Sequence, residues 1–229
     1  MTPLDASYWP QGTVYGTLLN FKAERTQMAD QMTQPPYKAA PQAPVLFIKT
    51  ANTFKASGGV VQVPANVPAI EVGATLGMVI RPLAHINRAQ AAPENIANWI
   101  AGYMLMNDWS IPHASFFRPP VKFKCLDGFL GIGSQLVSPE VAGDPAQFKL
   151  EVRVNGTLKQ SIDFANLHRH ALTLLRDVNE FMSLQAGDVL MLGCDADRPL
   201  AKVGDCVDIS APGLPGFGAL SQTLVAEVL

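Results

Sequence analysis

The sequence predicts a β-rich α+β fold with two or three helices, and three observations carry that prediction. Short runs of β-branched and apolar residues recur from Val45 to Val228, bounded by Gly, Pro and Asn. In residues 148–162, Phe148, Leu150, Val152 and Val154 alternate with Lys149, Glu151 and Arg153. Asn155-Gly156 then supplies the positive-φ pair of a tight hairpin. Helical patterning is strong in only two stretches.

Taken in order, residues 11–21 (QGTVYGTLLNF) form a strand leading to Asn20, and 22–32 is polar and helix-compatible. Residues 34–44 hold four prolines, which opposes a stable helix or central strand. The whole of 22–44 is therefore expected to be a mobile surface segment, either a lid or an ordinary loop. Strands follow at 45–49, 59–64 and 69–80. The first helix is expected from Pro93-Glu94, where proline suits the first turn and acid suits the macrodipole. It should run through Ile96, Trp99, Ile100 and Tyr103 to about Met106. The second is expected over 164–182, where Leu167, Ala171, Leu174, Leu175, Val178, Phe181 and Met182 mark one buried face. Strands at 186–193, 203–210 and 219–228 complete the chain, the first two opened by Gly-Asp.

With no repeat or low-complexity stretch, the 229 residues are expected to form one mixed domain. Seventeen basic and nineteen acidic residues give a net charge of −2 with no basic block, which argues against nucleic acid. No apolar run approaches membrane-spanning length and Met1–Pro10 has no leader pattern, so a soluble cytoplasmic chain is expected. Cys125, Cys194 and Cys206 fit no C-x-x-C pattern and are expected as buried free thiols.

Several landmarks in fixed order resemble the fumarylacetoacetate hydrolase superfamily over about Thr13 to Val228. They are Phe47-Ile48-Lys49 with the Gly58-Gly59 turn, IAGYMLMNDWS (100–110), and Lys124 to Phe129 leading to Gly131-Ile132-Gly133. Val154-Asn155-Gly156 with Gln160, and Ala186-Gly187-Asp188 leading to Gly193, continue the series. SIPHASFFRPPVKFKCLDGF (110–129) and the altered strand at 71–80 look most like the homoprotocatechuate branch. There the likeness is to the N-terminal half, or first subunit, of a bifunctional decarboxylase/isomerase. The resemblance implies a mixed β-sheet roll, assembled as dimers or pseudo-dimers, acting on small dicarboxylates.

The family pattern for Mg²⁺ or Mn²⁺ is Glu-x-Glu on a strand plus an Asp, because hard cations need several oxygen ligands and alternate strand residues face one way. Here Gly73 and Thr75 stand at the glutamate positions, while Asp108 matches the third ligand and Lys124 the family lysine. Glu71 has the same parity and is either a substitute ligand or a locally paired strand-end charge. The family's lid His and Glu correspond to Glu24 and Gln27, and its Gly-Thr-Pro block reads Gly193-Cys194-Asp195. Carried over, the resemblance implies Lys124, Asp108 and Glu24 as catalytic residues. It implies Asn20, Arg118, Lys124, Asp127 and Gln160 as substrate-binding residues. With two ligands missing, the chain is expected to bind metal poorly and to have little decarboxylase activity alone.

Three functions remain open at this point. The chain is a catalytic decarboxylase/isomerase subunit, a metal-free structural partner of an intact family subunit, or a small-molecule binding protein with a degenerate site.

Overall fold

The computed structural model describes residues 8–81, 93–113 and 120–228. Its strands are β1 (Val14–Leu18), β2 (Val45–Lys49), β3 (Phe54–Ala56), β4 (Val60–Val63), β5 (Ile70–Glu71), β6 (Ala74–Ile80) and β7 (Ile100–Asp108). Then come β8 (Leu130–Ile132), β9 (Lys149–Val154), β10 (Thr157–Asp163), β11 (Val189–Met191), β12 (Leu200–Ala201), β13 (Cys206–Ser210) and β14 (Ala219–Ala226). The helices are α1 (Lys22–Gln27), α2 (Ala29–Thr33), α3 (Val121–Lys124), α4 (Pro139–Ala142) and α5 (Ala171–Asn179). The β-rich mixed fold is as the sequence predicts, although its helices are shorter and more numerous.

A seven-stranded sheet has the order β2-β1-β11-β6-β7-β8-β3, and a five-stranded sheet the order β10-β9-β13-β14-β4. Both are mixed: β1 runs parallel to β11, β3 to β8 and β14 to β4, whereas the central β6–β7 pair is antiparallel. The β9–β10 hairpin turns at Asn155 (φ 52°) and Gly156 (φ 76°), the conformations for which that dipeptide is suited.

The largest apolar cluster joins Leu76, Met78 and Ile80 of β6 with Leu105 of β7, Val152 of β9, Ile209 of β13 and the α5 face Leu174, Leu175 and Val178. A second cluster gathers Val79, Met104 and Met106 with Val14, Phe47, Leu130 and Val189. Alternate residues of β6 and β7 thus enter different clusters, and both faces of this sheet are covered.

That double burial explains one correction. The helix expected from Pro93 to Met106 is a 3-10 segment at Pro93–Trp99 followed by β7. Eight of the nine β7 residues are buried, so the strand lacks polar alternation, and its apolar residues fit helical spacing by coincidence. The helix expected over 164–182 is confined to α5, preceded by a 3-10 turn at Phe164–Asn166, because Leu167 pairs with Phe21 in an isolated bridge. The strand expected over 69–80 is split into β5 and β6 around Val72-Gly73. Of the three free cysteines only Cys194 is buried. Cys125 follows α3 at the surface, and Cys206 opens β13 beside the hairpin, so both are partly exposed. Among the described residues no helix is long and apolar enough to cross a membrane.

Candidate functional site

Asp108 ends β7 beneath the β5–β6 break. Its N–H donates to Gly73 O at 2.8 Å, and Gly73 N–H donates to Asn107 Oδ1 at 3.0 Å. Two lysines converge on this carboxylate. Lys124 Nζ, at the end of α3, donates to Oδ2 at 2.6 Å. Lys49 Nζ, at the end of β2, meets Oδ1 at 2.8 Å as an ion pair off the hydrogen-bond direction. Lys49 instead donates to Trp109 O at 3.4 Å and, through a short contact, to Lys124 O. Lys124 Nζ also lies 5.0 Å from the centre of the Phe47 ring, within cation–π range.

Burial by itself would raise the Asp108 pKa, but Lys124 and Lys49 outweigh it and hold the carboxyl at about 2. Lys49 moves the other way: burial lowers its pKa more than Asp108 supports it, with Lys124 adding repulsion. The asymmetry follows from stoichiometry, since two ammonium groups share one carboxylate and leave one positive charge in excess.

Gly73 and Thr75, across from this aspartate, offer no carboxylate. Thr75 Oγ1 donates to Gly193 O at 2.6 Å. A Cβ on Gly73 would lie 2.3 Å from Asp108 O and 3.1 Å from Cys194 Sγ, so this backbone has no room for a side chain there. Cys194 Sγ donates to Gly73 O at 3.3 Å, and burial first, then the Asp108 charge, raises its pKa to about 12, keeping it a thiol. Among the described residues, no group of three or more His, Cys, Asp and Glu is arranged to hold a metal ion.

A cation occupies the space where the other acids converge. Arg198 Nη2 donates to Glu24 Oε1 at 3.1 Å, Nη1 to Glu71 Oε2 at 3.3 Å, and Nε to Asp195 O at 3.4 Å. Burial raises the pKa of Glu24, with Arg198 opposing, and Glu24 Oε2 has no hydrogen bond among the described residues. Glu24, Gln27, Glu71, His113, Asp197 and Arg198 line a pocket of about 350 Å³. Glu24 also walls a mainly apolar cavity of about 230 Å³ with Leu18, Met28, Met32, Tyr37 and Val45. The 22–44 segment therefore forms much of that second wall, through α1, α2 and the proline-rich stretch.

The other expected site residues are dispersed. Asn20 is buried, donates to Leu192 O and Arg169 O, and accepts from Arg169 N–H, so it ties three chain segments together. Gln160 on β10 donates to Ala196 O at 2.8 Å and so anchors the loop that carries Arg198. Asp127 accepts from Asn52 Nδ2 at 2.7 Å and lines a separate cleft with Lys55 and Gln62. Asp108 and Lys124 are 2% and 1% exposed and are not among the residues lining the 350 Å³ pocket. Arg118 lies outside the described residues. Sequence reasoning overlooked Lys49 as a partner of Asp108 and Arg198 as the cation between Glu24 and Glu71. The only available signals were the Phe47-Ile48-Lys49 landmark and one arginine in an otherwise acidic loop.

Comparison with known proteins follows this geometry. The family described as fumarylacetoacetate (FAA) hydrolase C-terminal matches residues 13–225. The "4-hydroxyphenylacetate degradation bifunctional isomerase/decarboxylase" of Salmonella dublin is 36% identical over 217 residues, covering 95% of this chain and 48% of that protein. The "homoprotocatechuate catabolism bifunctional isomerase/decarboxylase" of Escherichia coli is 32% identical over 205 residues, covering 90% of this chain and 46% of that protein. The chain thus spans about half the length of these relatives. Among solved structures, a 5-carboxymethyl-2-hydroxymuconate delta-isomerase from Mycobacterium smegmatis is similar with a TM-score of 0.74 and 24% identity, covering 98% of this chain and 82% of that one. A fumarylpyruvate hydrolase from Pseudomonas aeruginosa, solved with Mn²⁺ and pyruvate, gives 0.75 and 20%, covering 94% and 90%. At these identities the structural likenesses establish the fold alone.

Proposed function

The chain belongs to the fumarylacetoacetate hydrolase C-terminal family, and on that premise we propose that it is one subunit of a 4-hydroxyphenylacetate (homoprotocatechuate) catabolic decarboxylase/isomerase. It acts on 2-oxo and 2-hydroxy-diene dicarboxylates through enolate chemistry, in a homodimer or with a related metal-bearing subunit, and its own metal centre is incomplete. The identity to bifunctional relatives over half their length supports the subunit reading.

One observation carries the incomplete centre: both Asp108 oxygens face lysines, while Gly73 and Thr75 stand where paired glutamates would be needed. Mg²⁺ or Mn²⁺ needs several free oxygen donors, and these residues do not fit it. No step is routed through an ion here.

The chain's own residues supply two functions. Isomerisation moves a proton between carbons, which calls for a carrier whose pKa is drawn toward neutrality. Glu24, whose pKa is raised by burial against the opposing Arg198 charge and a Leu19 backbone hydrogen bond, has that character. The enolate formed on proton loss is favoured by fixed positive charge, and the Lys49–Asp108–Lys124 group carries one such charge in excess. Lys124 and Asp108 act on the substrate through this field, since neither lines the pocket.

The second reading, a metal-free structural partner, is favoured by that same burial of Lys124 and Asp108. The deciding experiment assays the purified chain alone and mixed with a family subunit that has the paired glutamates. The substrates are 5-oxopent-3-ene-1,2,5-tricarboxylate and 2-hydroxyhepta-2,4-diene-1,7-dioate, followed by ultraviolet absorbance. Isomerisation by the chain alone, or rate enhancement in the mixture that Glu24→Gln abolishes, supports a catalytic subunit. Enhancement that survives Glu24→Gln supports the structural partner, and no effect in either arm removes both.

A further inference from the structure

We propose that Arg198 is the carboxylate-binding residue of a metal-independent dicarboxylate site in the 350 Å³ pocket. This rests on the reading that the cleft receives small dicarboxylates, and it deepens that reading by assigning the group that holds them.

The first support is the hydrogen-bond inventory of the guanidinium. It has five N–H donors, and three are used, at 3.1, 3.3 and 3.4 Å. Charge-assisted N–H···O bonds are normally about 2.7–2.9 Å, so all three contacts are loose. One N–H on each terminal nitrogen has no acceptor among the described residues. The side chain is only 13% exposed, so water compensates these donors incompletely. A planar cation with one spare donor on each outer nitrogen matches a carboxylate.

The second support is the surrounding charge. Behind the pocket, Lys49 and Lys124 exceed Asp108 by one positive charge. Arg198 interacts electrostatically with Asp108 as well as with Glu24 and Glu71. The lining itself carries Glu24, Glu71 and Asp197 beside Arg198, so the two unused donors rather than net charge favour an incoming carboxylate, and the lysines around Asp108 offset part of the acidic charge.

The third support is the adjoining space. Glu24 belongs to the walls of both the polar pocket and the 230 Å³ apolar cavity. A ligand anchored on Arg198 by one carboxylate therefore has apolar volume nearby for a short carbon chain. The alternative role of Arg198 is a brace between α1 and β5, holding Glu24 and Glu71 together. A brace predicts an effect on stability without an effect on ligand affinity.

The test titrates the full chain calorimetrically with oxalate and with heptanedioate, first in EDTA and then in Mg²⁺. Binding of at least one acid in EDTA, with a Kd changed less than about twofold by Mg²⁺, is expected. Arg198→Lys keeps the charge but loses the fork, and it should weaken that binding by about tenfold or more. Thermal melts of the unliganded variant check that it is folded, and the EDTA measurement on the unaltered chain needs no variant. Binding that requires Mg²⁺, or an Arg198→Lys variant that binds as well as the parent, overturns the Arg198 assignment and leaves the dicarboxylate reading intact. Failure of both acids to bind in either buffer overturns the two together.

Discussion

Asp108→Asn removes the one negative charge shared by Lys49 and Lys124 while preserving side-chain volume. Both ammonium groups then stay buried without a counter-charge, and breaking a buried pair in this way costs about 3–5 kcal/mol. The pH-dependent part can be worked separately. A carboxyl lowered from 3.8 to about 2 on folding contributes roughly 2.5 kcal/mol at neutral pH. Its sign is that of a depressed acid: the contribution is full above the unfolded value and is lost as pH falls toward the folded one. For a chain of this size, a loss of about 3–5 kcal/mol lowers the melting temperature by roughly 6–20 °C. Urea unfolding of parent and variant across the acid range measures both quantities. The gap between them should be widest at neutral pH and close progressively between about pH 5 and pH 2. A neutral-pH gap below about 1 kcal/mol, or a gap that does not change on acidification, would refute the buried-triad account.

Three further outcomes follow from the same geometry. Gly73→Ala should destabilise by about 1–3 kcal/mol through overpacking against Asp108 O, and Gly73→Glu with Thr75→Glu should not generate calorimetric Mg²⁺ binding; strong binding would show that the strand yields readily. Glu24→Gln should raise the melting temperature at alkaline pH relative to the parent. That gain should vanish below the unfolded carboxyl value, because an acid with a raised folded pKa destabilises only once ionised; a pH-independent change would contradict the assignment. Asn20→Ala forfeits three hydrogen bonds to Leu192 and Arg169, about 1 kcal/mol each, and chemical denaturation should register a loss of roughly 3 kcal/mol; a neutral result would mean that water replaces them.

What could be read from the residues depended on how each element meets solvent. The β9–β10 hairpin was legible because one set of its residues is buried, the other faces outward, and Asn155-Gly156 marks the turn. β7 was misread as helix because it is covered on both faces, which erases the period of two by which a strand is recognised. The α5 stripe was correct in its middle, but Leu167 is held by Phe21, a pairing 146 residues away that no local pattern signals. At the site, Asp108 and Lys124 were found together because a motif linked them, and they are hydrogen-bonded. Arg198 was missed because a lone arginine between Asp195, Asp197 and a proline ordinarily indicates a solvated loop. Its burial depends on α1 folding over it, a tertiary event.

In the seven-stranded sheet, the three-residue β11 stands between β1 and β6 and, among the described residues, is the strand that joins them. A ribosome delivers β1, β2 and β3, and then β6, β7 and β8, well before it delivers this keystone. From the end of β8 to Met191 about sixty residues must still be translated, roughly 3–12 s at ordinary elongation rates. Throughout that interval the nascent polypeptide carries two unfinished half-sheets, each with a bare rim able to capture a foreign strand. Premature termination just ahead of Val189 should therefore yield not a smaller soluble fragment but a species prone to self-association.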